Sequence, residues 1–149
     1  HLEGTLDFIP YGCLVDHYQE VVYEHPEMTP QERNEAWLKL EKMYRPYLDL
    51  ENMPFYGRGA GWQRQNHIYA TPFYYIDYCL AQTVALQFWL EIEKDWKQAW
   101  EKYKMFVKRG GTDTFLGLVE GAGLASPVED GCIREIAGHA SGWLKEHKL

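Results

Sequence analysis

The run "HIYATPFYYIDY", residues 67–78, gathers His67, Tyr69, Tyr74, Tyr75 and Tyr78 within twelve positions. A phenol that titrates near pH 10 is a hydrogen-bond donor at neutral pH. Two tyrosines converging with a histidine would therefore hold the oxyanion that forms when a carbonyl is attacked. Such a grouping stabilises developing charge but does not activate water. The competing reading is an aromatic helix interface whose hydroxyls reach solvent or backbone, and residue types alone leave both open. Just upstream, "GRGAG" places Gly57, Gly59 and Gly61 in alternation. It has no G-K-[ST] after it and no strand before it, so it reads as a flexible loop rather than a phosphate cradle. Glycine there lets the backbone bend or approach a ligand closely.

Other constellations are weaker. His17 and Glu20, three apart in "DHYQE", would share a helix face with Asp16 and Glu24 nearby. A metal site in a helical bundle needs a second such pair, and His25, His67, His139 and His147 offer none. A solvated helix face is the plainer reading, beside a carboxylate-bridged metal bundle. No G-x-S-x-G occurs. Cys13, Cys79 and Cys132 are odd in number, widely spaced and without C-x-x-C, which fits buried thiols in a reducing, cytoplasmic setting.

Helical signals dominate the elements that must position these residues, and strand alternation is almost absent. "YGCLVDHYQEVVYEHP" reads as a helix closed by Pro26. "TPQE" sets Thr29 at an N-cap, Pro30 in the first helical position and Glu32 three residues after the cap, and "SPVE" repeats this with Ser126, Pro127 and Glu129. Both are expected to open helices. The first should carry an apolar stripe of Trp37, Leu40, Met43, Tyr44 and Tyr47, and the second should run to the C-terminus. Residues 52–66 are expected to be a loop. Thr71 is expected to cap a long helix with Pro72 first and a core face of Phe73, Ile76, Leu80, Val84 and Phe88. That leaves Tyr74, Tyr75 and Tyr78 on its flank, since successive helical residues are about 100° apart. "DWKQAWEKYKMFVKRGG" stays helical until Gly110 and Gly111, and "TDTFLGLVEGAGL" supplies a short capped helix. The expected fold is all-α, a multi-helix array of about five to six helices in a single region spanning residues 1–149, with no internal repeat.

Composition narrows the partners. The 149 residues are 46% hydrophobic and 25% charged, an ordinary balance for a globular chain. A net charge of −7 and dispersed arginines argue against nucleic acid or an anionic membrane surface. No apolar run approaches the roughly 18 residues of a membrane span, and no signal peptide is recognisable. The chain begins with His1 rather than methionine, so it is expected to be processed or part of something longer.

"GRGAGWQRQNHIYATPFYYIDYCLAQTVALQFW" closely resembles the C-terminal part of the catalytic domain of the oligoendopeptidase F family, a branch of the thimet-oligopeptidase-like zinc metallopeptidases. "FIPYGCLVDHYQEVVYEHPEMTPQERNEAW" before it and "GGTDTFLGLVEGAGLASPVEDGC" after it fit the same family in the same order. The resemblance implies a largely helical enzyme that cuts short peptides in a channel, using one zinc held by H-E-x-x-H and a more distant glutamate. No H-E-x-x-H occurs in this chain, so the zinc ligands are expected upstream, on an N-terminal remainder, with none here. By the resemblance, His67 with Tyr75 and Tyr78 are the catalytic donors to the substrate carbonyl and the tetrahedral intermediate. Tyr74, Tyr69, Gly59 and Gly61 would contact substrate, the glycines lending the loop mobility. The thimet branch carries a Gly-Tyr where this chain has Thr71, Pro72 and Phe73, which leaves open which tyrosine is the main donor. A noncatalytic helical binding or assembly module is the alternative.

Overall fold

The computed structural model describes residues 1–147. It contains seven α-helices and, among the described residues, no strand: α1 (Leu2–Glu24), α2 (Pro30–Tyr44), α3 (His67–Ala70), α4 (Ile76–Lys94), α5 (Trp96–Lys108), α6 (Phe115–Gly121) and α7 (Cys132–Glu146). A 3-10 helix covers Ala60–Arg64. The all-α expectation is met. No helix among the described residues is long and apolar enough to cross a membrane. The chain forms two compact units, one on Glu3–Cys79 and the other on Leu80 and the residues that follow.

In the first unit α1 starts at Leu2, nine residues before the expected Tyr11, and carries Pro10 in its interior. Proline at this position removes one backbone hydrogen bond and crowds the carbonyl four residues back, a local cost that the helix carries. The helix ends at Glu24, just before Pro26, as expected. The start of α2 is the predicted capping box. The Thr29 hydroxyl accepts from the Glu32 amide at 3.3 Å and the Glu32 carboxylate accepts from the Thr29 amide at 2.7 Å. Leu14, Val15, Tyr18, Trp37, Leu40 and Ile68 form the core. The expected stripe on α2 is only half realised. Trp37 and Leu40 are buried, whereas Met43 and Tyr47 are exposed. Beneath the stripe, the buried Glu41 carboxylate accepts from Trp37 Nε1 at 3.1 Å and pairs with Arg45 at 2.7 Å.

Two expected helix starts are turns. Thr71 and Pro72 do not open α4. The Tyr74 amide donates to the Thr71 carbonyl at 3.2 Å, and Phe73 takes a left-handed φ of 60°. That is the pattern of a type II turn, with proline second and a positive φ third. Phe73 therefore lies outside the helix and is exposed, while the core face proper is Val84 and Phe88 with Ile76 and Leu80 half-buried. Likewise Ser126 and Pro127 begin a turn closed by the Glu129 amide on the Ser126 carbonyl at 3.1 Å. The left-handed Gly131 (φ 100°) then interrupts the backbone, and α7 starts only at Cys132.

In the second unit Asp95 ends α4 and caps α5, its carboxylate accepting from the Lys97 and Gln98 amides. Thr114 caps α6 through the Gly117 amide, as the sequence predicts. Val84, Phe88, Val119, Ala122 and Leu124 make the core, with Phe106 against it. Gln87 ties α4 to the segment after α6, donating to the Ala125 carbonyl at 2.9 Å and accepting from its amide at 2.8 Å.

Candidate active site

The loop before α3 is docked, not open. Gly59 is left-handed (φ 79°) and buried against the Asn34 backbone of α2, where a side chain would collide. A Cβ at Gly61 would lie 2.7 Å from Trp37 Nε1. Trp62 Nε1 donates to Asn34 Oδ1 at 2.9 Å. These glycines thus serve close packing of loop on helix, and neither is exposed. The docked loop leads into α3, whose Ile68 is buried in the first core and so fixes the adjacent His67.

Four predicted residues come together. The His67 ring lies 4.8 Å from the Tyr75 ring, 5.7 Å from Tyr78 and 6.5 Å from Tyr74, centroid to centroid. Tyr78 in turn is 5.4 Å from Tyr74 and 5.5 Å from Tyr75. The type II turn makes this possible, because it reverses the chain between α3 and α4 and sets the tyrosines back over the histidine. Tyr69 is elsewhere. It is exposed and tilted against Trp62 at 6.1 Å, and Trp62 lies against Tyr18 at 5.8 Å.

Tyr75 and Tyr78 keep their protons. Desolvation, then the nearby Cys79 and Tyr78, pushes Tyr75 above the ordinary phenol range. Tyr78 is shifted the same way by desolvation and then by its hydrogen bond with Tyr74. Both are neutral donors at neutral pH, able to stabilise negative charge on oxygen and unable to act as bases.

Residues invisible as site residues in the sequence complete the arrangement. Tyr11 of α1 donates to Gln65 Oε1 at 2.8 Å, and the Gln65 amide nitrogen lies 2.8 Å from His67 Nδ1. The Tyr11 ring also stands edge-on to Tyr75 at 6.0 Å, with Phe8 on Tyr75 at 5.8 Å. Gln65 sits two residues from the predicted histidine, but nothing in local spacing signals that its amide turns back onto the ring.

His17 and Glu20 do not pair for a metal. His17 Nδ1 is 3.1 Å from the Tyr44 hydroxyl and Glu20 is exposed. Among the described residues no group of three His, Cys, Asp or Glu is placed to hold a metal ion. The donor set among the described residues does not fit a zinc centre. The three cysteines form no disulfide.

No family model matches the sequence, and no curated protein matches it. Solved structures do. A protein assigned as an oligoendopeptidase F, with crystals grown by microfluidic seeding, is 45% identical over 99% of this chain with a TM-score of 0.92. Pz peptidase A, solved with an inhibitor, is 46% identical over 99% with a TM-score of 0.91. A protein from Bacillus anthracis str. Ames, also assigned as an oligoendopeptidase F, is 40% identical over 99% with a TM-score of 0.78. The helical fold and the sequence it carries match part of these solved structures. The chain belongs to the oligoendopeptidase F family. It spans about a quarter of the length of these structures, 26%, 26% and 23% respectively.

Proposed function

We propose that this chain is the C-terminal part of the catalytic domain of a zinc-dependent oligoendopeptidase that hydrolyses short peptides in the cytoplasm. The observation that carries the reading is the 40–46% identity, over 99% of the chain, to oligoendopeptidase F structures. In this reading the zinc ligands would lie in an N-terminal remainder, where the chemistry the metal would supply is activation of water. The residues of this chain bind and orient the substrate. His67, Tyr75 and Tyr78 donate to the scissile carbonyl and hold the oxyanion, Tyr74 and Tyr69 offer exposed rings to the peptide, and Gly59 with Gly61 act indirectly by packing onto α2 the loop that leads into His67. The convergence of one histidine and three phenols supports this.

The test is reconstitution. The chain is joined or mixed with the remainder of the peptidase and assayed on an internally quenched short peptide, with Tyr75→Phe and Tyr78→Phe in parallel. Loss of a fully preset oxyanion donor lowers kcat by about 100-fold and leaves KM nearly unchanged, and loss of a donor that must first reorganise costs less. Wild-type kcat in both variants would remove the assigned role. Binding of the remainder with no hydrolysis at all would instead favour a noncatalytic assembly module, for which the exposed stack of Trp96, Trp100 and Tyr103 on α5 is the relevant surface.

A further inference from the structure

Behind His67 runs a relay of side chains that the oxyanion role does not use. The Tyr11 hydroxyl is 2.8 Å from Gln65 Oε1, and Gln65 Nε2 is 2.8 Å from His67 Nδ1. An amide has one accepting end and one donating end, so its orientation decides which imidazole nitrogen carries the proton. We infer that Tyr11 and Gln65 are positioning residues that lock His67 in the tautomer with a bare Nδ1 and a protonated Nε2, presetting the ring as a hydrogen-bond donor to a carbonyl oxygen.

The direction follows from Tyr11. Burial, then the neighbouring Tyr75, pushes its phenol up to about 12, so it keeps its proton. That proton is directed at the amide oxygen, which leaves the amide N–H to face His67. The ring nitrogen that receives it, Nδ1, must be unprotonated, and the ring proton is on Nε2. A reversed amide would make Tyr11 an acceptor and require Nδ1–H, leaving Nε2 as a bare acceptor that repels an oxyanion. Tyr11 is held for its part by the packing of α1. Its ring is edge-on to Trp37 at 6.4 Å and to Tyr75 at 6.0 Å, and the Arg45 guanidinium lies 4.8 Å over its face. The relay thus ties the histidine to the core of the first unit through a residue 54 positions upstream of Gln65. A hydrogen bond made by one ring nitrogen decides which nitrogen carries the proton and fixes the ring's orientation.

The inference rests on the peptidase reading only for its purpose, and the experiment separates the two. The chain is produced with 15N-labelled histidine, and the His67 ring nitrogens are assigned by NMR with His67→Gln as the reference. The expected spectrum has one pyridine-like nitrogen, Nδ1, and one pyrrole-like nitrogen, Nε2. Gln65→Glu offers an acceptor only and should invert the pattern, while Tyr11→Phe should give a tautomer mixture. A wild-type ring with Nδ1–H, or with averaged nitrogens, overturns the relay whatever the activity. The expected tautomer together with unaltered hydrolysis by the reconstituted His67→Gln enzyme would leave the relay standing and sink the peptidase role of His67.

Discussion

The backbone amide of Phe73 donates to Gln19 Oε1 at 2.8 Å, across 54 residues of sequence. Gln19 is fully buried on α1, and its own amide nitrogen donates back to the Val15 carbonyl at 3.2 Å. One glutamine therefore anchors the only non-glycine positive φ among the described residues, at the turn that brings Tyr74, Tyr75 and Tyr78 over His67. A bulky residue in that region costs about 1–3 kcal/mol and keeps the conformation only where its surroundings hold it there.

The strain is separable from the anchor. Phe73→Gly should raise stability by up to about 1 kcal/mol through relief of the left-handed strain, less whatever is lost with the Phe73–Tyr23 ring contact at 5.2 Å. Gln19→Leu should lower it by about 1–3 kcal/mol, since it strands a part-buried amide. Urea unfolding of the two variants checks the signs. A stabilised Gln19→Leu would mean the turn holds itself.

Glu41 and Arg45 make the second structural commitment. Their side chains are only 5% and 15% exposed, and the carboxylate also takes Trp37 Nε1. Arg45→Met leaves a buried charge without its countercharge and should destabilise by about 3–5 kcal/mol, whereas Arg45→Met with Glu41→Leu should recover much of that loss. A double-mutant cycle by chemical denaturation measures it. Additive losses would show that the pair does not act as one buried unit.

Tyr11 predicts alkaline sensitivity. Its phenol titrates at about 12 in the folded chain against an ordinary 10. The folded state holds the proton more tightly, so the contribution of Tyr11 to stability is complete below pH 10 and is lost as pH rises from there toward 12. Tyr18 is raised by burial too and remains in a Tyr11→Phe variant. Helicity followed from pH 9 to 12 should therefore fall less steeply in Tyr11→Phe than in wild type; equal slopes would show that Tyr11 does not set the alkaline limb.

What was legible in the sequence was what is local. The capping box at Thr29 and the cap at Thr114 need only side chains within three residues of the backbone they bond. His67, Tyr75 and Tyr78 lie close enough together for one turn to gather them. Thr71-Pro72 and Ser126-Pro127 misled because a hydroxyl followed by proline opens either a helix or a turn. The outcome was decided at Phe73, whose amide goes to Gln19, and at Gly131, whose positive φ breaks the path. Tyr11 and Gln19 reach the site from α1 and leave no periodic trace there.

The two proposed donors are not held alike, and this decides which should dominate. Tyr75 is half-buried, wedged between Phe8 at 5.8 Å and Tyr11 at 6.0 Å, with its ring 4.8 Å from His67. Tyr78 is 41% exposed, and its hydroxyl is engaged with Tyr74. An oxyanion donor is effective in proportion to how little it must reorganise when charge appears. In the reconstituted peptidase, Tyr75→Phe should therefore lower kcat about 100-fold or more, and Tyr78→Phe by about 10-fold with part of its effect on KM. Tyr74→Phe keeps the ring offered to the peptide and frees the Tyr78 hydroxyl from its present partner, so its effect on kcat should be smaller than that of Tyr75→Phe. A larger kcat loss for Tyr78→Phe than for Tyr75→Phe, with KM intact in both, would show that the exposed phenol swings into place on substrate binding and that the preset ring is only its support.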